Sequence, residues 1–382
     1  MTYNLPAYLW MVTDAQRVDA YARALQSVIT PESFVIEIGT GIGVFAVMAR
    51  RMGARRVVAI EPDDAIAVAK MVAADNGDTG IEFFQGLSTD VSFSEKADVV
   101  VSDLRGVLPL YAGHLQSVID ARQRLLAPGG ALIPAADTLY AAVVEVPERY
   151  EELTPRFSAD GSVKLDVLRR FMTNTWEKRR VNPEQLLTRP AAWATINYRA
   201  ITGEDVGGTV RLRAERDGTA HGLAVWFDAT LVDGVDFSNA PDHPELVYGS
   251  AFFPWSDPVD VRQNDEICVR IDARLVGGEY LWRWDSEVRA ADSSSQPKAR
   301  FQQSTFYGAP LMPGQLAKGD ASRLPSLTED GQIEGFILRS MDGATLNADI
   351  ARSLMERFPL RFVRYNDALG RVGSVARRFS VG

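Results

Sequence analysis

The chain has 382 residues, 46% hydrophobic and 24% charged, an ordinary globular balance with material for two or three cores. Its formal net charge of -9 argues against bulk-charge binding to nucleic acid or an anionic membrane. The sole cysteine, Cys268, excludes an internal disulfide and a thiolate zinc cluster; the scattered His114, His221 and His243 lack metal-ligand spacing, so no metal is expected. The N-terminal "MTYNLPAYLW" has no basic region and no long apolar core, and no apolar run approaches a membrane span, so a cytoplasmic protein without a signal peptide is expected.

Up to residue 136, short apolar runs alternate with helical periods, the pattern of a sheet covered on both faces. "FVIEIG" (34–39) is short, β-branched and stopped by glycine, which predicts a buried strand. "VFAVMARRMG" (44–53) follows as a helix with Gly53 at a C-cap position. "RRVVAIEPD" predicts the next strand and "DAIAVAKMVAADNG" the next helix. "IEFFQG", "ADVVVSD" and "GALIP" supply three further strands, with "HLQSVIDARQRLL" as a helix between the last two. This alternation predicts a mostly parallel sheet with right-handed crossovers.

Residues 137–307 change to period-two runs such as "TLYAAVVEV", "GTVRLRAE", "GLAVWFDATLV" and "EICVRIDARLV", which predict an antiparallel barrel or sandwich. Residues 164–187, "KLDVLRRFMTNTWEKRRVNPEQLL", interrupt it with helix formers and apolar side chains, as a protruding arm would. Residues 308–326 read as a linker. Residues 327–382 return to helical periodicity after an "EGFILRS" run, compatible with a small winged-helix-like module or a packing appendage.

"EIGTGIG" places Gly39, Gly41 and Gly43 between a strand and a helix, where the backbone turns sharply and a ligand must approach without a Cβ in its way. Glu61 ends the following strand, where a carboxylate can accept hydrogen bonds from both ribose hydroxyls. A dinucleotide and S-adenosylmethionine both fit; the dinucleotide fingerprint wants glycine where this chain has Val44, which disfavours a pyrophosphate. Asp63 and Asp64 read as N-caps of the next helix. In "VVVSDLRGVLPLYAGHL" (99–115), Asp103 ends a strand where open α/β sheets bind ligands; Arg105 can pair with Asp103 or an acidic acceptor, with a solvated surface position as the default.

Several blocks together resemble the protein arginine methyltransferases: "MVTDAQRVDAYARAL", "VIEIGTGIGVFAVMARRMGARRVVAIEPD", "DVVVSDLRGVLPLY" and "LAPGGALIPAADTLY", then "VNPEQLL" and "HGLAVWFDATL". The likeness spans about residues 7 to 290. It implies an α/β Rossmann-like class I methyltransferase domain (1–136), an antiparallel β-barrel domain (137–307) with a dimerisation arm, a small C-terminal helical module (327–382) and a head-to-tail homodimer. S-adenosyl-L-methionine is the implied cofactor. Arg17 matches the arginine that binds its methionyl carboxylate, Glu61 the ribose carboxylate, and "GLSTD", with Ser88 and Thr89, the adenine-contacting segment.

The acceptor residues match less well. The family grips its target guanidinium with two glutamates; here the first is Asp103 and the second Ala112. Where the family's barrel supplies a Thr-His-Trp loop, the alignment gives Leu246, Val247 and Tyr248. A lone, shorter carboxylate is a poorer match for a planar fork. His114 falls beside the family's reacting centre, where an imidazole can serve as general base or, equally, start a helix facing solvent or backbone; Tyr111 can line the acceptor slot or pack in the core. The expectation is methyl transfer to a peptide or protein, at a nitrogen other than guanidinium or at an oxygen. A small-molecule methyltransferase and a catalytically silent scaffold are the alternatives.

Overall fold

The computed structural model describes residues 5–78, 80–153, 166–292, 296–310 and 312–380. The chain divides into two compact units, Met1–Pro310 and Leu311–Gly382. The first begins with five parallel strands, β1 (Phe34–Ile38), β2 (Arg56–Glu61), β3 (Ile81–Gln85), β4 (Ala97–Ser102) and β5 (Leu126–Ile133), in the order β3-β2-β1-β4-β5. All five residues of β1 are buried, as befits a central strand covered on both faces. The helices of this part are α1 (Leu5–Thr13), which buries none of its residues, and the covering helices α2 (Ala15–Val28), α3 (Val44–Arg51), α4 (Ala65–Asp75) and α5 (His114–Arg124).

Helix α2 forms because Asp14 caps it, its Oδ1 accepting the Arg17 N–H, and because Ala20, Tyr21, Ala24 and Leu25 fall at helical spacing on a buried face. Asp63, whose Oδ1 accepts the Ala65 N–H, caps the start of α4; Asp64 makes no side-chain cap. Strand β1 pairs with β2 on one side and β4 on the other. The loops leaving β1 and β4 therefore diverge, opening a crevice at the carboxyl ends of the strands.

The remainder of this unit is antiparallel. Strand β6 (Ala136–Val144) leads through α6 (Pro147–Leu153) and α7 (Asp166–Thr173) to β7 (Glu177–Lys178), β8 (Ala191–Asn197), β9 (Val206–Arg213), β10 (Gly218–Val232) and β11 (Val235–Ser238). Strands β12 (Ala251–Val261), β13 (Glu266–Val276), β14 (Glu279–Arg289) and β15 (Ala299–Ser304) complete it. One sheet runs β7-β12-β10-β6-β8 with β11 on β10, the other β15-β14-β13-β9. Trp255, Trp282, Trp284, Phe227 and Phe253 are buried within this barrel-like body. The period-two signal is visible in β13, where Ile267, Val269, Ile271 and Ala273 are buried.

The expected arm is shorter than 164–187. Residues 164 and 165 lie outside the described residues, and α7 exposes Val167 and Leu168. The second half belongs to the barrel: β7 pairs with β12, and Val181 and Leu187 are fully buried. Apolar side chains that looked exposed in sequence are core.

The second unit holds α8 (Glu329–Ser340), α9 (Asn347–Arg357) and α10 (Tyr365–Phe379), with Ile333, Ile337, Ile350, Leu354 and Val372 in its core. Thr328 caps α8 through the Gly331 N–H. The helical module is present, but without a wing among the described residues: no strand occurs there, and "EGFILRS" lies inside α8. Ile333 and Ile337, four apart, give that run a helical buried face.

Candidate functional site

The crevice begins at the glycine loop. Gly39 and Gly41 take φ of +73° and +54°, and a Cβ on Gly39 would run into Leu104 Cδ2. A Cβ on Gly41 would lie 2.7 Å from the Tyr8 ring of α1. Gly43, also left-handed at φ +84°, is the N-cap of α3. Glu61, at the end of β2, is turned back onto this loop: its Oε2 accepts the Gly41 N–H at 2.8 Å and its Oε1 the Asp63 N–H at 3.0 Å. Burial raises the Glu61 carboxyl, and these two backbone bonds oppose the rise. Each oxygen keeps a lone pair for a ribose hydroxyl.

Next to the loop, three segments distant in sequence converge on Asp103. Arg17 Nε donates to Asp103 Oδ2 at 2.5 Å and to Tyr248 Oη at 3.0 Å, and Tyr248 Oη donates to the same Oδ2 at 2.5 Å. Arg105 Nη1 donates to Asp103 Oδ1 at 3.0 Å. The Arg17 and Asp103 side chains are only 9% and 5% exposed, so these bonds form largely away from water. Burial alone would raise the Asp103 carboxyl, but Arg17, Arg105 and the Tyr248 hydroxyl outweigh it and hold it below the usual carboxylate range. Arg17 Nη1 donates to the Met11 carbonyl, whereas Nη2 has no hydrogen-bond partner among the described residues. The barrel segment is anchored to the same helix start, because the Val247 N–H donates to Asp14 Oδ2 at 2.7 Å.

Arg105 is not a surface residue. It is buried, with Nε and Nη2 donating to Asp137 Oδ2 and Oδ1 at 2.8 and 2.9 Å, a bidentate fork. Its Nη1 also donates to Tyr21 Oη at 2.7 Å, and Tyr198 Oη donates to Asp137 Oδ2 at 2.5 Å. Neither Asp137, Tyr21 nor Tyr198 stands out in the sequence reading. A signal existed: Asp137 shares the inward face of β6 with Leu139, Ala141 and Val143, and a carboxylate in that phase requires a partner.

Of the other expected site residues, His114 borders this junction, its ring centroid 5.4 Å from that of Tyr198. His114 opens α5 fully buried, its Nδ1 2.7 Å from the Pro109 carbonyl. Burial, and then Arg105, pushes its imidazole down to about 4. The geometry favours the other reading of this residue, a helix-start histidine tied to the backbone. Its Nε2 and Ser102 Oγ are buried without a hydrogen-bond partner. Tyr111 is half-buried with its ring against Gly106, and Ala112 takes a left-handed φ of 41° before Gly113. Ser88 is buried and Thr89 exposed, its Oγ1 directed to Asp90. Leu246 is packed in the core.

One buried acid lies under the glycine loop. Glu37 Oε2 accepts the Thr40 hydroxyl at 2.5 Å, and burial pushes its carboxyl up to about 8 from an ordinary 4.5. Between those values the folded chain binds a proton that the unfolded chain has released, so stability falls as pH rises through that window. Glu37→Gln is expected to flatten that fall in urea denaturation across the same window; an unchanged pH profile would show that Glu37 does not titrate there.

Comparison with known proteins places these features together. Residues 135–275 match the arginine methyltransferase oligomerization subdomain, and residues 21–149 match ribosomal protein L11 methyltransferase (PrmA). A probable protein arginine N-methyltransferase 6 of Arabidopsis thaliana is 29% identical over 245 residues, 61% of this chain and 55% of the relative. An arginine N(omega)-methyltransferase of Streptomyces achromogenes subsp. streptozoticus is 27% identical over 281 residues, 70% of this chain and 76% of the relative. The chain thus spans little more than half the length of the plant relative. The fold superposes on the Trypanosoma brucei PRMT1 enzyme-prozyme complex with AdoHcy, with a TM-score of 0.71 at 18% identity, covering 78% of this chain and 96% of that one. The fold is thus one shared with methyltransferases, and the Trypanosoma structure is solved with AdoHcy. The chain is similar in sequence to protein arginine methyltransferases and shares with their solved structures a parallel-sheet domain followed by a barrel-like domain.

Proposed function

We propose that this chain transfers the methyl group of S-adenosylmethionine to a peptide or protein acceptor, through a site that offers one internally paired carboxylate in place of two. The observation that carries the reading is the meeting of α2, the loop after β4 and the 246–248 segment at Arg17, Asp103 and Tyr248, beside the glycine loop. The residues fit the cofactor. Arg17 Nη2 is available for its methionyl carboxylate, Gly39 and Gly41 hold the left-handed turn that keeps the loop backbone tight against Leu104 and Tyr8, and Glu61 has lone pairs for both ribose hydroxyls. Ser88 and Thr89 border the adenine.

When bound, the cofactor supplies an electrophilic methyl group on a sulfonium. The protein's part is mainly positioning for an in-line displacement. Asp103 holds the Arg17 guanidinium by Nε, which leaves Nη2 uncommitted and links the cofactor arginine to the acceptor loop. The match to an oligomerization subdomain supports a dimer, with the exposed apolar residues of α7 as its arm. A small-molecule acceptor is the second reading, favoured by the Streptomyces relative, whose name carries arginine alone.

The test is transfer of a labelled methyl group from S-adenosylmethionine into cell extract. Label in the polypeptide fraction, absent with Arg17→Ala, is expected. Label confined to small molecules would favour the second reading, and no transfer at all would contradict both.

A further inference from the structure

We propose that Arg105 is a built-in guanidinium that takes the face of Asp103 a cationic acceptor would need, so that the group methylated by this enzyme is uncharged rather than an arginine side chain. This inference rests on the proposed methyl transfer and deepens it.

Three observations carry it. First, Asp103 is already engaged on both oxygens, by Arg105 on Oδ1 and by Arg17 and Tyr248 on Oδ2. Second, Arg105 is not free to swing aside for a substrate, because its Nε and Nη2 are forked onto Asp137 and its Nη1 also meets Tyr21. Third, the charges of the junction cancel: Arg17 and Arg105 against Asp103 and Asp137. The cofactor brings a sulfonium, so a guanidinium acceptor would meet a like charge with no spare carboxylate to offset it. The buried groups of this stretch with hydrogen-bonding capacity left over, Ser102 Oγ and His114 Nε2, are neutral. Ala112 adds no charge on the same loop.

Titration calorimetry with N-acetyl-arginine methylamide, on the full chain saturated with S-adenosylhomocysteine, tests the inference. The wild-type complex is expected to give no binding up to tens of millimolar. Arg105→Leu combined with Ala112→Glu vacates Oδ1 of Asp103 and adds a carboxylate. It should strengthen arginine binding by about tenfold or more, the scale of one charge-assisted pair. Where that variant does not fold, Arg105→Lys with Ala112→Glu keeps a cation beside Asp137 and serves the same purpose. Millimolar or tighter binding of the arginine probe by wild type would overturn the inference. So would a variant that binds S-adenosylhomocysteine normally yet gains nothing for arginine. Failure of wild type to bind S-adenosylhomocysteine would instead overturn the methyltransferase reading, and this inference with it.

Discussion

Asp137→Ala is expected to destabilise the fold by about 3–5 kcal/mol, the scale for stripping one partner from a buried ion pair. Asp137 and the Arg105 side chain are both fully buried, and the carboxylate accepts both prongs of the guanidinium and the Tyr198 hydroxyl. Without it, Arg105 keeps only its single bond to Asp103 and the contact with Tyr21, and the junction carries an uncompensated positive charge. Removing both charges tests the cause. Arg105→Leu with Asp137→Leu should recover much of the loss, because apolar replacement of a buried pair is often near neutral. Urea denaturation of the two single variants and the double variant measures this; strictly additive losses would show that the pair is not the source.

Asp103→Asn is expected to cost stability and cofactor affinity together. An amide keeps the shape but leaves Arg17 and Arg105 facing a single carboxylate, at a cost that again approaches about 3 kcal/mol. It also turns the charge-assisted Arg17 Nε bond into a weaker one to a neutral amide oxygen, so the guanidinium is held less firmly. The sign of the pH effect follows from the depressed Asp103 carboxyl. Its contribution is full above the ordinary carboxylate range and is lost as pH falls through the lower folded value. Asp103→Asn should therefore flatten the acid limb of the stability profile. Unfolding between pH 2 and 7 with S-adenosylhomocysteine titrated at pH 7 checks both parts, and unchanged cofactor affinity would uncouple Asp103 from Arg17.

The parallel sheet was legible because its strands are uninterrupted apolar runs ended by glycine or a carboxylate, and Gly39, Gly41 and Glu61 mark its ligand edge in sequence alone. The barrel was legible where alternation is clean, as in β13. It was less so in β12, where "AFFPWSDPVDV" carries two prolines and two aspartates yet pairs along β10. The site was half legible. Arg17 and Asp103 are visible as types at motif positions. Their mutual bond joins residues 86 apart, and Tyr248 reaches Asp103 across 145 residues, distances over which periodicity carries no information. Arg105 was misread because a charged residue in a loop is solvated by default, and only the inward phase of Asp137 signals otherwise. Sequence leaves His114 open for a related reason: it places an imidazole near the chemistry but not the burial that neutralises it.

Cofactor binding at Arg17 is the claim on which the account stands, and calorimetric titration of S-adenosylhomocysteine tests it most directly. One site per wild-type chain is expected, and Arg17→Ala should weaken it by about 10- to 100-fold, the worth of a charge-assisted bond to a carboxylate. No binding by wild type, or equal affinity in Arg17→Ala, would contradict it.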